Sequence, residues 1–363
     1  MNELLPLPAD QLSVVVFGPG FGEGILVRAP PGEWLIVDSL LDPTGSDSAH
    51  PAESANPAIR LLHEHRAEPA ALLLTHPHED HAAGFDVLVE RWPEAKLGYL
   101  DEGSRQDGDR LTDPDVERSL RSGLAEHAVA AIHDAWERFP DRKWDLLPGS
   151  KIGLGQATVT VLGPSKRAIK RAATDASKGR RIDFNTLSVP LAIDWCGTRV
   201  VLGADLPAIE WQQIIKDVAG ANPGDHHALK IPHHGSKAAQ PELLADPPDG
   251  RDRCWVLSPW KLAGGALPRF EDGEGIDLML KRVPEVHLTA LPFESSLPPG
   301  TTRASRAQVV DATSRSRFGD EDMVLLRHSA PVTSREGWVA LSYAANGALA
   351  TSTRGAASLT VCG

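Results

Sequence analysis

The sequence predicts a mixed α/β (α+β) protein, a four-layer αββα sandwich with a small β-rich extension at its C-terminus. Two observations carry that expectation. Short β runs and helix–strand pairs alternate twice along the 363 residues, giving two β-rich halves that each carry helices. The chain also opens as a meander of short strands and not as a βαβ unit, which argues against a doubly wound parallel sheet.

The opening strands are LSVVVF (12–17), ILVRA (25–29) and EWLIVDS (33–39), with the turn PPGE between the last two. The glycines of GPGFGEG (18–24) do not spell a dinucleotide fingerprint. The third glycine would fall at Glu23 or Ile25, depending on the starting residue. PAIRLLHEHR (57–66) reads as a helix leading into the strand ALLLT (71–75), and FDVLVERW (85–92) as another helix before the strand KLGYL. Asp113-Pro114 is a helix start, and Val116, Leu120, Leu124, Ala128, Ile132 and Trp136 recur every four residues up to Pro140. Short strands fill 146–165, and a basic stretch covers 166–181. LSVPLAI and RVVLGAD follow as strands, then the helix AIEWQQIIKDV, the strand ALKI, the strand CWVLS and the helix GIDLMLKRV.

Beyond residue 292 the composition turns polar and turn-rich, and the end reads as a hairpin around Asn346-Gly347. The expected division is therefore 1–292 as the main domain and 293–363 as the extension.

Composition narrows the function classes. With 41% hydrophobic residues the chain can bury a large core. Lys+Arg is 37 and Asp+Glu 49, a net charge of −12, so a protein that coats nucleic acid through overall charge is not expected. A phosphate-rich ligand needs a local basic patch or bound cations. Cys196, Cys254 and Cys362 form no CxxC pair, and all three are expected to be buried or inert. Their odd number points to a reducing, cytoplasmic setting. The N-terminus lacks the pattern of a signal peptide, and no apolar run reaches the ~20 residues that span a bilayer.

The chemistry concentrates in LLLTHPHEDHAAG (72–84). His76, His78, Asp80 and His81 lie directly behind an apolar strand. Imidazole and carboxylate together suit Zn²⁺, Mn²⁺ or Fe. Other histidines read as structural or solvated: His63 and His65 two apart on a helix, His127 and His133 off the apolar stripe of theirs, His226 and His227 before a strand.

The loop resembles the HxHxDH signature of metallo-β-lactamase-fold hydrolases. That resemblance implies partners downstream: Asp205 at the end of VVLGAD as a bridging ligand, and His233 or His234 in LKIPHHGS as a last one, with His233 preferred as nearer the strand. Asp38 in LIVDS resembles the aspartate that supports the metal loop from behind. GFGEGILVRAP, IDFNTLSVPLAI (with Asn185 and Ser188) and LKIPHHGS, in that order, resemble ComEC-like nuclease domains over about residues 12–292. A further metal histidine common in the wider family is missing, and Asn185 takes its slot. That favours an oxygen-tolerant ion such as Mn²⁺ at one position.

The resemblance implies two divalent ions, Zn²⁺ or Mn²⁺. His76 and His78 would hold one, Asp80, His81 and His233 the other, and Asp205 would bridge. Asp80 would orient the attacking water, giving Asp80 and Asp205 catalytic roles. Lys230, Ser236 and His234 would contact substrate oxygens or the ligands. The implied function is a phosphodiesterase, foremost a nuclease, acting on nucleic acid or nucleotides and compatible with a regulatory protein partner. Two alternatives stand beside it: a phosphodiesterase of small cyclic or modified nucleotides, and a metal-poor, non-catalytic subunit.

Overall fold

The computed structural model describes residues 5, 7–18, 21–41, 55–100, 126–218, 224–239, 253–262, 265–269, 275–290, 315–318, 323–326, 337–354 and 359–362. The chain begins with β1 (Leu12–Gly18), β2 (Phe21–Ala29) and β3 (Glu33–Leu41), an antiparallel meander. Helix α1 (Pro57–His65) starts where the Asn56 side chain accepts the backbone N–H groups of Ala58 and Ile59, an N-cap. It leads into β4 (Ala71–Leu74), the short α2 (Glu79–Ala82), α3 (Phe85–Arg91), β5 (Lys96–Tyr99), α4 (Glu126–Arg138) and β6 (Lys143–Trp144). The expected start of α4 at Asp113-Pro114 lies outside the described residues. Its stripe residues Ala128, Ile132 and Trp136 are buried as expected.

The second half runs through β7 (Lys151–Leu154), β8 (Ala157–Val161), α5 (Lys166–Ser177), β9 (Leu191–Trp195), β10 (Thr198–Leu202), α6 (Ala208–Asp217), β11 (Ala228–Lys230) and β12 (Cys254–Leu257). A small ribbon of β13 (Trp260–Leu262) and β14 (Gly265–Leu267) precedes α7 (Gly275–Leu280) and β15 (Glu285–Leu288). The C-terminal region gives β16 (Arg315–Phe318), β17 (Met323–Leu326), β18 (Gly337–Tyr343), β19 (Leu349–Arg354) and β20 (Leu359–Cys362).

Among the described residues these strands form two large sheets, ordered β19-β18-β1-β2-β3-β4-β5-β6 and β16-β17-β20-β15-β12-β11-β10-β9-β8-β7. Strand alternation explains the layering, because successive side chains leave opposite faces. Val14, Val16, Ile25, Val27, Val37 and Leu73 of one sheet meet Val159, Leu191, Ile193, Val200 and Val256 of the other in a central core. The opposite face of the first sheet, with Val15, Phe17, Leu26 and Leu72, packs on Ile59, Leu62, Phe85, Leu88 and Ile132 of its helices. The outer face of the second sheet, with Val201, Leu229 and Trp255, packs on Trp211, Ile214, Ile276 and Met279. The layers are helix, sheet, sheet, helix, as the sequence predicts.

The C-terminal extension is β-rich and carries the hairpin at Asn346-Gly347, but its strands join the sheets. β18 pairs with β1 over its whole length, Leu12 opposite Tyr343 to Gly18 opposite Gly337. β20 pairs with β15. The basic stretch is an amphipathic helix, α5, with Ala168, Ala172 and Ala176 buried at four-residue spacing. Ser165 caps it, accepting the N–H of Ala168.

Candidate metal centre

Parallel pairing of β3 with β4 and of β10 with β11 sends the chain out of both sheets at the carboxyl ends of neighbouring strands. Loops from such ends are where α/β proteins gather functional groups. The His76–His81 loop follows β4, Asp205 follows β10, and the turn Pro232–Gly235 follows β11. A bond from Val189 N–H to the Thr75 carbonyl (3.1 Å) ties the first loop to the second half.

Close backbone approach fixes these loops. A Cβ on Gly22, which sits at φ +112°, would come within 2.5 Å of the Asp80 carbonyl oxygen. One on Gly203 would come within 2.6 Å of Pro232 Cγ. Glycine at both places lets the loops press together.

Asp38 anchors the first loop from behind. Its carboxylate accepts the Thr75 N–H (2.7 Å) and hydroxyl (2.8 Å). It also faces His81 Nδ1 at 2.7 Å. Nδ1 of His81 therefore carries the proton, and Nε2 points its lone pair inward. Thr75 Oγ1, already donating to Asp38, accepts from His76 Nδ1 (3.0 Å), so His76 also turns Nε2 inward. That Nε2 lies 3.0 Å from His78 Nδ1.

Asp205 stands where the donors converge. Its Oδ1 lies 3.3 Å from His81 Nε2. Its Oδ2 lies 4.0 Å from His76 Nε2, 3.8 Å from His233 Nε2 and 4.0 Å from His234 Nε2. His233 and His234 both adopt left-handed backbone, φ 47° and 50°. In a strand, neighbouring side chains point apart; here two successive imidazoles enter one cleft.

Between the two histidines the sequence prefers His233 at this place. His234, not His233, joins Asp80, His81 and Asp205, with all four donor atoms within 4.8 Å of one another. His234 Nδ1 donates to the Ser258 carbonyl (2.9 Å), which leaves Nε2 facing Asp80 Oδ2 at 3.3 Å. His233 stands aside, 3.4 Å from the Asn185 amide nitrogen, in a short turn (Phe184–Leu187) whose Phe184 ring lies 6.2 Å from that of His78. Asn185 therefore lies beside His233. Ser236 is half-buried and donates its backbone N–H to His233 O (2.8 Å).

Lys230 corrects another expectation. It is 2% exposed and pairs with the buried Glu23 on β2, so it faces the interior and not a substrate. Glu23, unremarked in the glycine cluster, also lies 3.8 Å from His234 Nδ1. The other histidines singled out in the sequence stay outside the cleft. His63 and His127 are exposed, His65 lies against Trp34, His133 stacks on Trp136, and His226 accepts from Trp255 Nε1 (2.9 Å). Cys254 is buried, whereas Cys196 is exposed in the turn between β9 and β10.

The electrostatics follow from burial opposed by pairing. Burial would push Asp80 and Asp205 up, but the Asp80 hydrogen bond to His234 and the nearby imidazolium charges hold both below the usual carboxylate range. Burial would push His81 and His234 down, but Asp205, with Asp38 beside His81 and Asp80 beside His234, holds both above the usual histidine value. Burial holds His76, His78 and His233 below it. The two aspartates and the His81 and His234 rings thus each favour the charged form of the other.

The donor set fits divalent cations. His81 Nε2 and Asp205 Oδ1 are buried with no hydrogen-bond partner although they face each other. Buried polar atoms rarely go unpaired, and these two aim at shared space as ligands do. Among the described residues, no helix is long and apolar enough to cross a membrane.

Parts of the chain are similar to known proteins. A 70-residue stretch is 37% identical to hydroxyacylglutathione hydrolase of Legionella pneumophila (strain Lens), covering 19% of this chain and 26% of that one. A 64-residue stretch is 39% identical to the hydroxyacylglutathione hydrolase of Cronobacter sakazakii (strain ATCC BAA-894), covering 18% and 25%. The chain thus spans about a quarter of the length of the curated relatives it matches. Among solved structures, a metallo-beta-lactamase from Staphylococcus aureus subsp. aureus COL is 14% identical with a TM-score of 0.36, covering 66% of this chain and 59% of that one. CmlA, a diiron beta-hydroxylase from Streptomyces venezuelae, is 14% identical with a TM-score of 0.33, covering 62% and 35%. Residues 17–160, which carry the first sheet's central strands and the His76–His81 loop, match the model of the Metallo-beta-lactamase superfamily, and the four-layer architecture is consistent with that superfamily's sandwich.

Proposed function

We propose that the protein is a metal-dependent hydrolase of phosphodiester bonds. The observation that carries the reading is Asp205, whose two oxygens face different imidazoles. A carboxylate so placed suits a bridge between two ions. In this reading Asp80, His81 and His234 hold one, and His76, His78 and His233 the other. With His233 on that side, three imidazoles would serve the His76–His78 position, which suits Zn²⁺ and removes the reason to favour Mn²⁺ there. Two divalent ions, when bound, supply Lewis acidity for an in-line displacement at phosphorus and acidify water near neutral pH.

The chain's own groups do the rest. Asp80 is the carboxylate nearer solvent, its side chain 14% exposed against 3% for Asp205. It is placed to take the proton of the attacking water as the phosphorus–oxygen ester bond breaks. Asp38 and the Ser258 carbonyl hold the rings of His81 and His234 in one tautomer. The Asn185 amide nitrogen stands 3.4 Å from His233 Nε2, a contact that His233 would exchange for an ion. The ordered resemblance of the GFGEG, IDFNTLS and LKIPHHGS stretches to ComEC-like domains supports a nuclease within this class.

A second reading, thioester hydrolysis, is favoured by the 70-residue likeness to hydroxyacylglutathione hydrolase. One panel separates the two. The protein, supplied with Zn²⁺ or Mn²⁺, is offered bis(p-nitrophenyl) phosphate, oligonucleotides and a hydroxyacylglutathione. Phosphodiester turnover that Asp80→Ala lowers by at least about a hundredfold is the expected result. Thioester turnover without phosphodiester turnover would transfer the assignment to the second reading.

A further inference from the structure

Helix α5 and the residues after it, 166–181, carry Lys166, Arg167, Lys170, Arg171, Lys178, Arg180 and Arg181, in a chain whose net charge is −12. The fold sorts them. The helix spends Ala168, Ala172 and Ala176 on a small core with Ile182 and Leu187, against which Phe184 also packs. All seven cations are exposed on the other side. Arg171 is committed to Glu210 (2.8 Å) and Arg180 to Asp175 (3.4 Å). Lys166, Arg167, Lys170, Lys178 and Arg181 make no ion pair among the described residues.

Their place matters as much as their number. The core under the helix is the one that seats the Phe184–Leu187 turn. That turn holds Asn185 against His233 and sets the half-buried Phe184 ring beside His78. The exposed cations of α5 therefore lie over the small core that seats the turn bordering the cleft. Cations spaced along one face are how proteins track a nucleic-acid backbone through its phosphates.

We infer that the outward face of α5, with Lys178 and Arg181, is the docking track for the phosphate backbone of a nucleic acid entering the cleft. The inference rests on the phosphodiesterase reading for what happens at the end of the track. The binding surface itself is tested separately.

The test uses metal-loaded full-length protein and a variant with Lys166→Gln, Arg167→Gln, Lys170→Gln, Lys178→Gln and Arg181→Gln. Binding of a fluorescent phosphorothioate oligothymidylate is followed by anisotropy across a salt series, beside turnover of bis(p-nitrophenyl) phosphate. The expected result is at least about tenfold weaker binding at low salt, with the salt slope reduced by about 0.7 for each lost contact. Small-ester turnover should stay unchanged, and exchanging Lys for Arg and Arg for Lys at the same positions should restore binding.

Unchanged oligonucleotide affinity and slope would overturn the track, while wild-type turnover of the small ester would leave the phosphodiesterase reading standing. An equal fall in small-ester turnover would make the helix structural and overturn it too. Loss of binding to phosphatidylglycerol vesicles with oligonucleotide binding intact would assign the face to a lipid surface instead. A wild type that cleaves no phosphodiester would sink the phosphodiesterase reading, and the oligonucleotide titration would still decide the track.

Discussion

At the scale of single residues, the His233–His234 pair shows how backbone conformation decides chemistry. Both sit in the left-handed region, so adjacency in sequence does not send them to opposite sides. His234 Nε2 faces Asp80, and His233 Nε2 faces Asn185. Replacing each should therefore affect different positions of the centre. His234→Ala should lower metal content by about one ion and leave Asp80 and His81 as a weak remnant. His233→Ala should weaken the position shared with His76 and His78. Metal analysis of both variants after dialysis, at matched free metal, reads this directly, and identical losses from the Asp80 position in both would contradict the exchange. The HxHxDH loop and Asp205 were legible in the sequence because each stands just past an apolar strand. The choice between the two histidines was not, since it depends on φ at residues 233 and 234.

At the scale of elements, the clearest unread feature is the pairing of Glu23 with Lys230. One ends a glycine-rich turn into β2 and the other ends β11, in the other sheet. No local pattern links residues so far apart in sequence, and the sequence reading puts Lys230 at the substrate. In the fold both are buried, and Glu23 backs His234. The Ala168/Ala172/Ala176 stripe of α5 was hidden by charge bias, although Ser165 and the four-residue spacing were present in the sequence. The C-terminal strands were legible as strands, but their partners β1 and β15 were not. A buried ion pair costs most when half of it is removed. Lys230→Met should therefore destabilise the metal-free protein by about 3–5 kcal/mol, and Glu23→Leu added to it should recover a large part. Denaturant midpoints of the three proteins test this. A single-variant loss below about 1 kcal/mol would mean that water reaches Glu23.

At the scale of the whole molecule, two sheets deliver carboxylates and imidazoles to one cleft, and the resulting field makes the metal-free state depend on protons. His81 and His234 are held above the usual histidine value by the facing carboxylates, so each keeps its proton to higher pH than a free imidazole when no ion is present. The sign follows from linkage. A histidine whose pKa is raised by folding stabilises the fold fully below its unfolded value, and that stabilisation is lost as pH climbs through the raised one. An ion needs the same Nε2 lone pairs, so its binding must displace those protons and grows stronger with pH. His76, His78 and His233, held low by burial, are already neutral and add no such dependence near neutrality. The melting temperature with saturating Zn²⁺ minus that with chelator should therefore widen from about pH 6 to about pH 8, since metal-free stability falls while metal affinity rises. Calorimetric titration in two buffers of different ionisation enthalpy should show net proton release on binding. A gap that stays constant with pH, with no proton released, would mean that His81 and His234 are neutral before the ion arrives and that the charge balance assigned to Asp80 and Asp205 is wrong.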